Sequence, residues 1–342
     1  MAEPVLGLDV GGAHLKAALV QDGRVLVARQ VPCRLWEGLA RLDEAFEAAL
    51  AGFPTPARVA LTMTGELVDL FPDRDHGVRK LLDAAQAALP RSELVIWAGR
   101  HGFVGLKHAR KATASVASAN WLATGTLVSR SLPCALLIDI GSTTTDIVPV
   151  LHGTVRASGE TDAERLAAGE LVYQGMTRTP VMAIASTAPF RGRLLPLMNE
   201  HFATAADIWR LLGTLDEAHD QHPAADNGPK TAEGSARRLA RMLGLDLKDA
   251  SPAAWRDLAA WFAERQLRRI EDSIRVVLSR EVMDEAGPLV AAGCGRLLVN
   301  ELARRLRRPW QDVGACIPGA PEAAVTCAPA AAVALLAEAR RA

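Results

Sequence analysis

The chain has 342 residues, enough for two domains with separate hydrophobic cores, and its 39 Lys and Arg balance 39 Asp and Glu. That balance excludes the global basic field with which a nucleic-acid binder gathers phosphates, and no apolar run is long enough to span a bilayer. Five scattered cysteines make neither a disulfide framework nor a CxxC metal site, and the start MAEPVLGLDVGG lacks the features of a secretory signal, so a reducing cytoplasm is the expected location.

In chain order, Val5–Val10 and Leu15–Val20 read as strands, and Arg24–Gln30 continues as a third after the turn at Gly23. Leu39, Leu42, Phe46 and Leu50 fall near helical spacing and predict a helix over Trp36–Gly52. Val59–Met63 is a short buried strand running into the polar Thr64–Glu66, which suits a cleft. A helix over Gly77–Leu89, a strand over Leu94–Ala98 and a tight small-residue helix over Ala112–Ala123 follow. A second hairpin begins at Ala135, and Thr154–Ser158 adds a strand. Thr161–Val181 is irregular, and a helical insertion runs from about His201 to Glu285, with Leu267, Ile270, Ile274 and Val277 as one stripe. The long polar loop Asp216–Thr231 interrupts it, and loops of that length are often functional. Within it, Asp216, His219, Asp220 and His222 read as a solvated turn in preference to a zinc site. Pro288–Ala292 is a buried strand, Gly293–Leu306 a glycine turn and helix, and Pro329–Ala339 an Ala-rich helix expected on the first lobe.

One part is used twice. LGLDVGGAHLKAALV (Leu6–Val20) and LLIDIGSTTTDIVPV (Leu136–Val150) each have an apolar run, Asp-x-Gly-[Gly/Ser], small or polar residues, and a second apolar run. Such a hairpin turn presents a row of backbone N–H groups to phosphate oxygens, and its carboxylate suits a divalent metal. A single Asp-Gly turn is common for structural reasons, and the aspartate then caps its own turn. Two copies point to a duplicated, two-lobed phosphate-binding enzyme.

With the strand–Gly-x-Gly–helix at Gly293–Gly295, these hairpins resemble the superfamily of acetate and sugar kinases, heat-shock chaperone ATPases and actin. The resemblance implies an α/β fold of two ribonuclease-H-like lobes around a cleft. The first lobe is expected over 1–134 plus 325–342, and the second over 135–324 with its helical insertion at about 201–285. DVGGAHLKAA, TMTGEL, ASANWLATG, DIGSTTTDIVP, GELVYQGMTRTPV and the DNGPKT loop (Asp226–Thr231) are similar to one branch, the hydantoinase/oxoprolinase-like proteins linked to tetrahydromethanopterin one-carbon transfer. The segment Gly99–Trp121 and the DNGPKT loop distinguish that branch best. Its archaeal relatives make the aminomethylfuran–tyramine ether of methanofuran.

The resemblance implies a transferase. The phenol of tyramine or γ-glutamyltyramine displaces diphosphate from 5-(aminomethyl)-3-furanmethanol diphosphate, giving the precursor of methanofuran or methylofuran. Asp9 and Asp139 are then the leading carboxylates for Mg²⁺ or a similar divalent cation, and Asp146 is a third. Gly11, Gly12, Gly141 and Ser142 offer N–H groups, and Thr143, Thr144 and Thr145 offer hydroxyls. Lys16 neutralises a phosphate oxygen, or points to solvent from its strand. His14 and Glu66 are the candidate bases for the phenol, though each residue type also occurs without such a role. Arg178 or Lys230 recognises a glutamyl carboxylate, Trp121 stacks on a ring or is simply packed, and Gly293 and Gly295 match the adenosine motif. The expected partners are small molecules, without nucleic acid or membrane, and the oligomeric state is open, a homodimer included. The chief rival is an ATP-dependent small-molecule kinase or hydantoinase-like hydrolase. A nucleotide-dependent chaperone is disfavoured because 342 residues leave little room for a separate peptide-binding domain.

Overall fold

Apolar runs buried on both faces build two sheets whose inner faces meet across a central core. The structure, a computed structural model, describes residues 3–280, 287–319 and 322–340. Strands β1 (Val5–Val10), β2 (His14–Gln21), β3 (Arg24–Pro32), β4 (Arg58–Met63), β5 (Glu93–Trp97) and β6 (Phe103–Gly105) form the first sheet in the order β3-β2-β1-β4-β5-β6. Helices α1 (Ala40–Leu50) and α2 (Arg74–Ala88) are close to its core, and α3 (Asn120–Ser131) leads to the second half. There, β7 (Cys134–Ile140) and β8 (Thr145–Leu151) form the second hairpin, edged by β9 (Thr154–Val155) and β10 (Leu171–Val172). A separate hairpin, β11 (Thr187–Phe190) with β12 (Arg193–Pro196), precedes β13 (Leu289–Ala292) and β14 (Trp310–Asp312). β13 lies parallel to β7, as β4 lies parallel to β1, and β14 extends it as β5 extends β4. The two halves are thus ribonuclease-H-like lobes of the same topology.

Side chains on a strand alternate between faces. In β1, Leu6, Leu8 and Val10 enter the outer core of the first lobe with Leu42, Phe46 and Leu81. In β7, Leu136, Ile138 and Ile140 enter the outer core of the second lobe. The opposite faces supply Val5, Ala18, Val20, Leu137, Val148 and Val150 to one shared central core. Asp9, Lys16, Asp139 and Asp146 have the parity of those inner faces. They occupy strand ends, where the central core gives way to a cleft.

The remaining helices are α4 (Asp162–Ala167), α5 (Ala205–Leu211), α6 (Ala232–Met242), α7 (Pro252–Leu278), α8 (Arg296–Leu306) and α9 (Ala328–Ala339). Leu267, Ile270, Ile274 and Val277 are all buried, as their spacing predicts. α9 packs on β1, β2 and β4, and α3 lies between α9 and the strands β7, β8 and β9. Gly7 makes the α9 contact close: a Cβ there would lie 1.9 Å from the Ala330 carbonyl oxygen. Gly7→Ala is therefore expected to cost about 3 kcal/mol or more, because a helix backbone cannot yield like a flexible side chain. An unchanged denaturant midpoint would contradict this packing.

Three expectations need correction. The helix foreseen over Trp36–Gly52 is a single 3-10 turn, Leu35–Glu37, followed by α1, because Gly38 has φ 127°. The helix foreseen over Ala112–Ala123 is broken at Ser118, whose φ is 49°, so that Thr113–Val116 and α3 are separate. The irregular stretch after Thr161 starts with α4, closed by a capping box between Thr161 and Glu164. No helix among the described residues is long and apolar enough to cross a membrane, and Cys33, Cys294, Cys316 and Cys327 are free thiols.

Candidate active site

The two acidic turns have matching geometry. Asp9 pairs with Lys16 across the first hairpin, and Asp139 pairs with Asp146 across the second. The Gly11 N–H donates to the His14 carbonyl at 3.0 Å, and the Gly141 N–H donates to the Thr144 carbonyl at 2.9 Å. Closing the turns therefore occupies two N–H groups expected to be available for phosphate. Among the described residues, the N–H groups of Gly12 and Ser142 meet no protein acceptor. Both turns open on one cavity of about 590 Å³, lined by Asp9, Lys16, Asp139 and Asp146 together with Gly11, Gly12, His14, Gly141, Ser142, Thr143 and Thr144. The turns also approach each other directly, with Ser142 Oγ 3.5 Å from His14 Nδ1.

Burial sets the electrostatics. Asp139 is pushed up to about 7, first by burial, with the Asp146 and Asp9 charges adding and Lys16 opposing. Asp9 is raised by burial, against the attraction of Lys16 and a hydrogen bond from Asn120. Lys16 Nζ lies 3.6 Å from Asp9 Oδ2. Burial disfavours its charge, but Asp9 and Asp139 together outweigh that and hold its pKa above the usual lysine range. Asp9 Oδ1 is buried without a partner. His14 is held well below the ordinary imidazole range, by burial and then by His222 and Lys16, so it is neutral at pH 7, and its Nε2 has no partner.

The structure separates the remaining candidates. Asp146 lines the cavity too, where its Oδ1 is ion-paired with Arg165 at 2.8 Å. Thr145 is fully buried, and its hydroxyl donates to the Gln174 carbonyl at 2.8 Å, outside the cavity lining. Glu66 is buried behind the wall, accepts from Ser118 Oγ at 2.7 Å, and is raised by burial. Lys230 is held by the carbonyl and carboxylate of Asp220 and lines neither this cavity nor its neighbour. Gly293, at φ 80°, and Gly295 also lie outside both linings. A Cβ on Gly293 would sit 2.3 Å from Asp139 Oδ1, so this glycine turn makes room for the end of β7. Trp121 lines the cavity, with the Arg165 guanidinium 4.0 Å over its ring. Arg178 lines it as well, donates to Thr143 Oγ1 at 3.2 Å, and lies 4.7 Å over the Trp36 ring.

Sequence reasoning missed Asn120, Arg165, Tyr173 and His222. Asn120 reaches the cleft because the break at Ser118 starts α3 there. Tyr173 is the chain's single tyrosine and is exposed at the cavity. His222 overturns the solvated-turn reading of its loop: it is buried, 4.8 Å from the His14 ring and 5.5 Å from Trp36. Its Nε2 lies 2.9 Å from the Ala13 carbonyl and must donate to it, leaving Nδ1 a buried acceptor without a partner. Burial, then Arg178, depress its pKa to about 4. The contribution to stability is present above pH 6.5 and is lost as pH falls toward 4. The unfolding free energy of wild type minus that of His222→Gln is expected to fall by roughly 3 kcal/mol between pH 7 and pH 4. Taking the difference cancels the buried carboxylates, whose raised pKa values act in the opposite direction. A pH-independent difference would contradict the neutral, buried imidazole.

Comparison with known proteins places this geometry in a family. The sequence profile described as hydantoinase/oxoprolinase matches residues 58–340. The (4-{4-[2-(gamma-L-glutamylamino)ethyl]phenoxymethyl}furan-2-yl)methanamine synthase of Methanocaldococcus jannaschii is 28% identical over 298 residues, covering 87% of this chain and 88% of that protein. The same-named synthase of Methanococcus vannielii is 28% identical over 173 residues, covering 51% of this chain and 76% of that protein. The nucleotide-free structure of an acetone carboxylase aligns at a TM-score of 0.60 and 11% identity, over 98% of this chain and 70% of that one, a likeness of fold.

Proposed function

The chain belongs to the hydantoinase/oxoprolinase family, and from that membership we propose that it is an ether-forming synthase of methanofuran-type cofactor biosynthesis. The reaction transfers an aminomethylfuranylmethyl group from its diphosphate to the phenol oxygen of tyramine or γ-glutamyltyramine. The C–O bond to diphosphate breaks with its electron pair leaving on diphosphate, the aryl C–O bond forms, and the phenol proton is released. The observation that carries this reading is the opening of matched acidic turns from both lobes onto one cavity.

Each chain group has a role in the proposal. Gly12 and Ser142 present N–H groups to phosphate oxygens, and Lys16 supplies a cation at the same place. Asp9 and Asp139 fit a divalent ion such as Mg²⁺, which prefers one or two carboxylates and completes its shell with water and substrate phosphates. The orphaned Asp9 Oδ1 and the unpaired Asp139 carboxylate suit such a ligand pair. Among the described residues no three His, Cys, Asp or Glu side chains form a ready metal cluster. That favours an ion arriving with the diphosphate, where its charge offsets that of the leaving group. His14 is the better base for the phenol, whose ordinary pKa is ~10: it lines the cavity, is neutral, and has a nitrogen without a partner. Glu66 lies behind the wall and lacks that access.

The test is an incubation of protein, Mg²⁺, the furfuryl-type diphosphate and tyramine or γ-glutamyltyramine, with and without ATP. Ether and diphosphate in equal amounts without ATP are expected. Product formation that requires and consumes ATP would replace this reading with the kinase-like one.

A further inference from the structure

We propose that Tyr173 is a self-alkylation site: when no acceptor is bound, its own phenol oxygen captures the furfuryl-type group from the diphosphate, and the protein-bound aryl ether blocks the cavity. The inference rests on the ether-forming reading for the donor. It adds a covalent fate of the chain itself, at a residue without a role in that reading.

Tyr173 is the single tyrosine in 342 residues, against 7 Trp and 7 Phe, and it lines the larger cavity. Sheet register puts it there. β10 pairs with β8 through Leu171 opposite Asp146 and Val172 opposite Thr145, so the next residue stands level with the second acidic turn. The chain beyond it wraps that turn. The Met176 N–H donates to the Gly141 carbonyl at 2.8 Å, and the Arg178 N–H donates to the Ser142 carbonyl at 2.8 Å. Gly175 keeps the approach close, since a Cβ there would sit 2.5 Å from the Thr143 nitrogen. Tyr173 is therefore carried by backbone fastened to one of the two loops proposed to hold diphosphate. Its side chain is 55% exposed, and among the described residues its hydroxyl makes no hydrogen bond to the protein.

Chemistry singles out the same residue. A phenol is the group that the proposed reaction alkylates, and Tyr173 brings one to the cavity without having to bind. The bond from the methylene carbon to diphosphate breaks with its electron pair leaving on diphosphate. The bond from that carbon to the tyrosyl oxygen forms, and the phenol proton passes to water at the exposed ring. Burial lowers the pKa of Arg178, but the guanidinium is near enough for charge on Tyr173 to oppose that shift. The same attraction favours negative charge developing on the tyrosyl oxygen during attack. Rival nucleophiles are withheld. Lys16 is held as an ammonium beside Asp9, with no lone pair to offer. The thiols of Cys294 and Cys327, pushed up to about 12 by burial, lie outside the lining. His14 Nε2 is enclosed in its wall, where a proton reaches it more readily than a methylene carbon does. An acceptor in the cavity offers a second phenol and takes the alkyl group instead, so the tyrosyl ether marks a donor that arrived alone.

The experiment is intact-protein and peptide mass spectrometry of the whole protein incubated with Mg²⁺ and the furfuryl-type diphosphate, with and without tyramine or γ-glutamyltyramine. Without acceptor, one aminomethylfuranylmethyl group per chain is expected on the peptide that contains Tyr173, with ether-forming activity lost in step. An acceptor at about ten times its Kd should slow the labelling roughly tenfold, because only about a tenth of the sites then stand open. Tyr173→Phe keeps the ring, removes the oxygen and should stay unlabelled. Three results would each overturn the proposal while the reaction stands: no adduct under conditions that give ether once acceptor is added, an adduct on His14 or another residue in place of Tyr173, or equal labelling of Tyr173→Phe. An adduct at Tyr173 without ether from either acceptor supports the proposal and removes the acceptor of the proposed reaction. Neither ether nor adduct removes both.

Discussion

Asp139→Asn is expected to lower turnover about 10²–10³-fold and, at the same time, to make the protein more stable above pH 7. The two effects have one cause. The Asp139 carboxyl is raised to about 7 by burial and by its acidic neighbours, so its ionised form is unfavourable in the empty fold. A raised folded pKa gives stability that is full below the unfolded value near 4 and is lost as pH rises toward 7. Asparagine suffers no such loss, so the variant should gain roughly 1–3 kcal/mol relative to wild type by pH 8 and little at pH 4. Paired activity and denaturant measurements across that range check both halves. A fully active variant would remove Asp139 from the proposed diphosphate site, and a uniformly destabilised one would contradict its raised pKa. Asp9→Asn should lower activity similarly. Its stability effect should be smaller, because Lys16 then loses its nearest anion.

Arg165→Met is expected to cost about 3–5 kcal/mol, the effect of stranding one member of a buried ion pair. Arg165 is 1% exposed, bonds Asp146 at 2.8 Å, donates to the Glu170 carbonyl at 2.9 Å, and lies on Trp121. A second change, Asp146→Leu, should restore a large part of the loss by removing the stranded carboxylate. Thermal and denaturant unfolding of the single and double variants measure the coupling. Additive effects would show that Asp146 does not depend on Arg165.

These variants also mark how far the sequence is legible. Both hairpins are visible because flanking apolar runs, Asp-x-Gly and the seven-residue interval from Asp9 to Lys16 recur from Asp139 to Asp146. These are local patterns, and local patterns report faces and turns directly. The alternation of side chains along a strand places Asp9 and Asp139 on facing inner surfaces. Arg165 is different: its helix has a recognisable capping box, but nothing nearby says that its guanidinium crosses to Asp146 or covers Trp121. His222 sits in a polar loop whose composition suggests solvent, and only the fold brings it against Ala13, more than 200 residues away. Gly293 shows the reverse difficulty. Its motif suits a ligand, and its positive φ and missing side chain also serve the approach to Asp139, which the motif does not announce. Long-range pairing, invisible to a sequence window, decides all three.

The central claim is that the cleft holds diphosphate as a leaving group, so that carbon–oxygen and not phosphorus–oxygen cleavage occurs. A furfuryl-type diphosphate labelled with ¹⁸O at the bridging oxygen tests it most directly, by mass spectrometry of both products after turnover with a phenolic acceptor. All of the label is predicted to leave in diphosphate, with unlabelled phenol oxygen in the ether. Label retained on the furan product would mean phosphoryl transfer and would contradict the account.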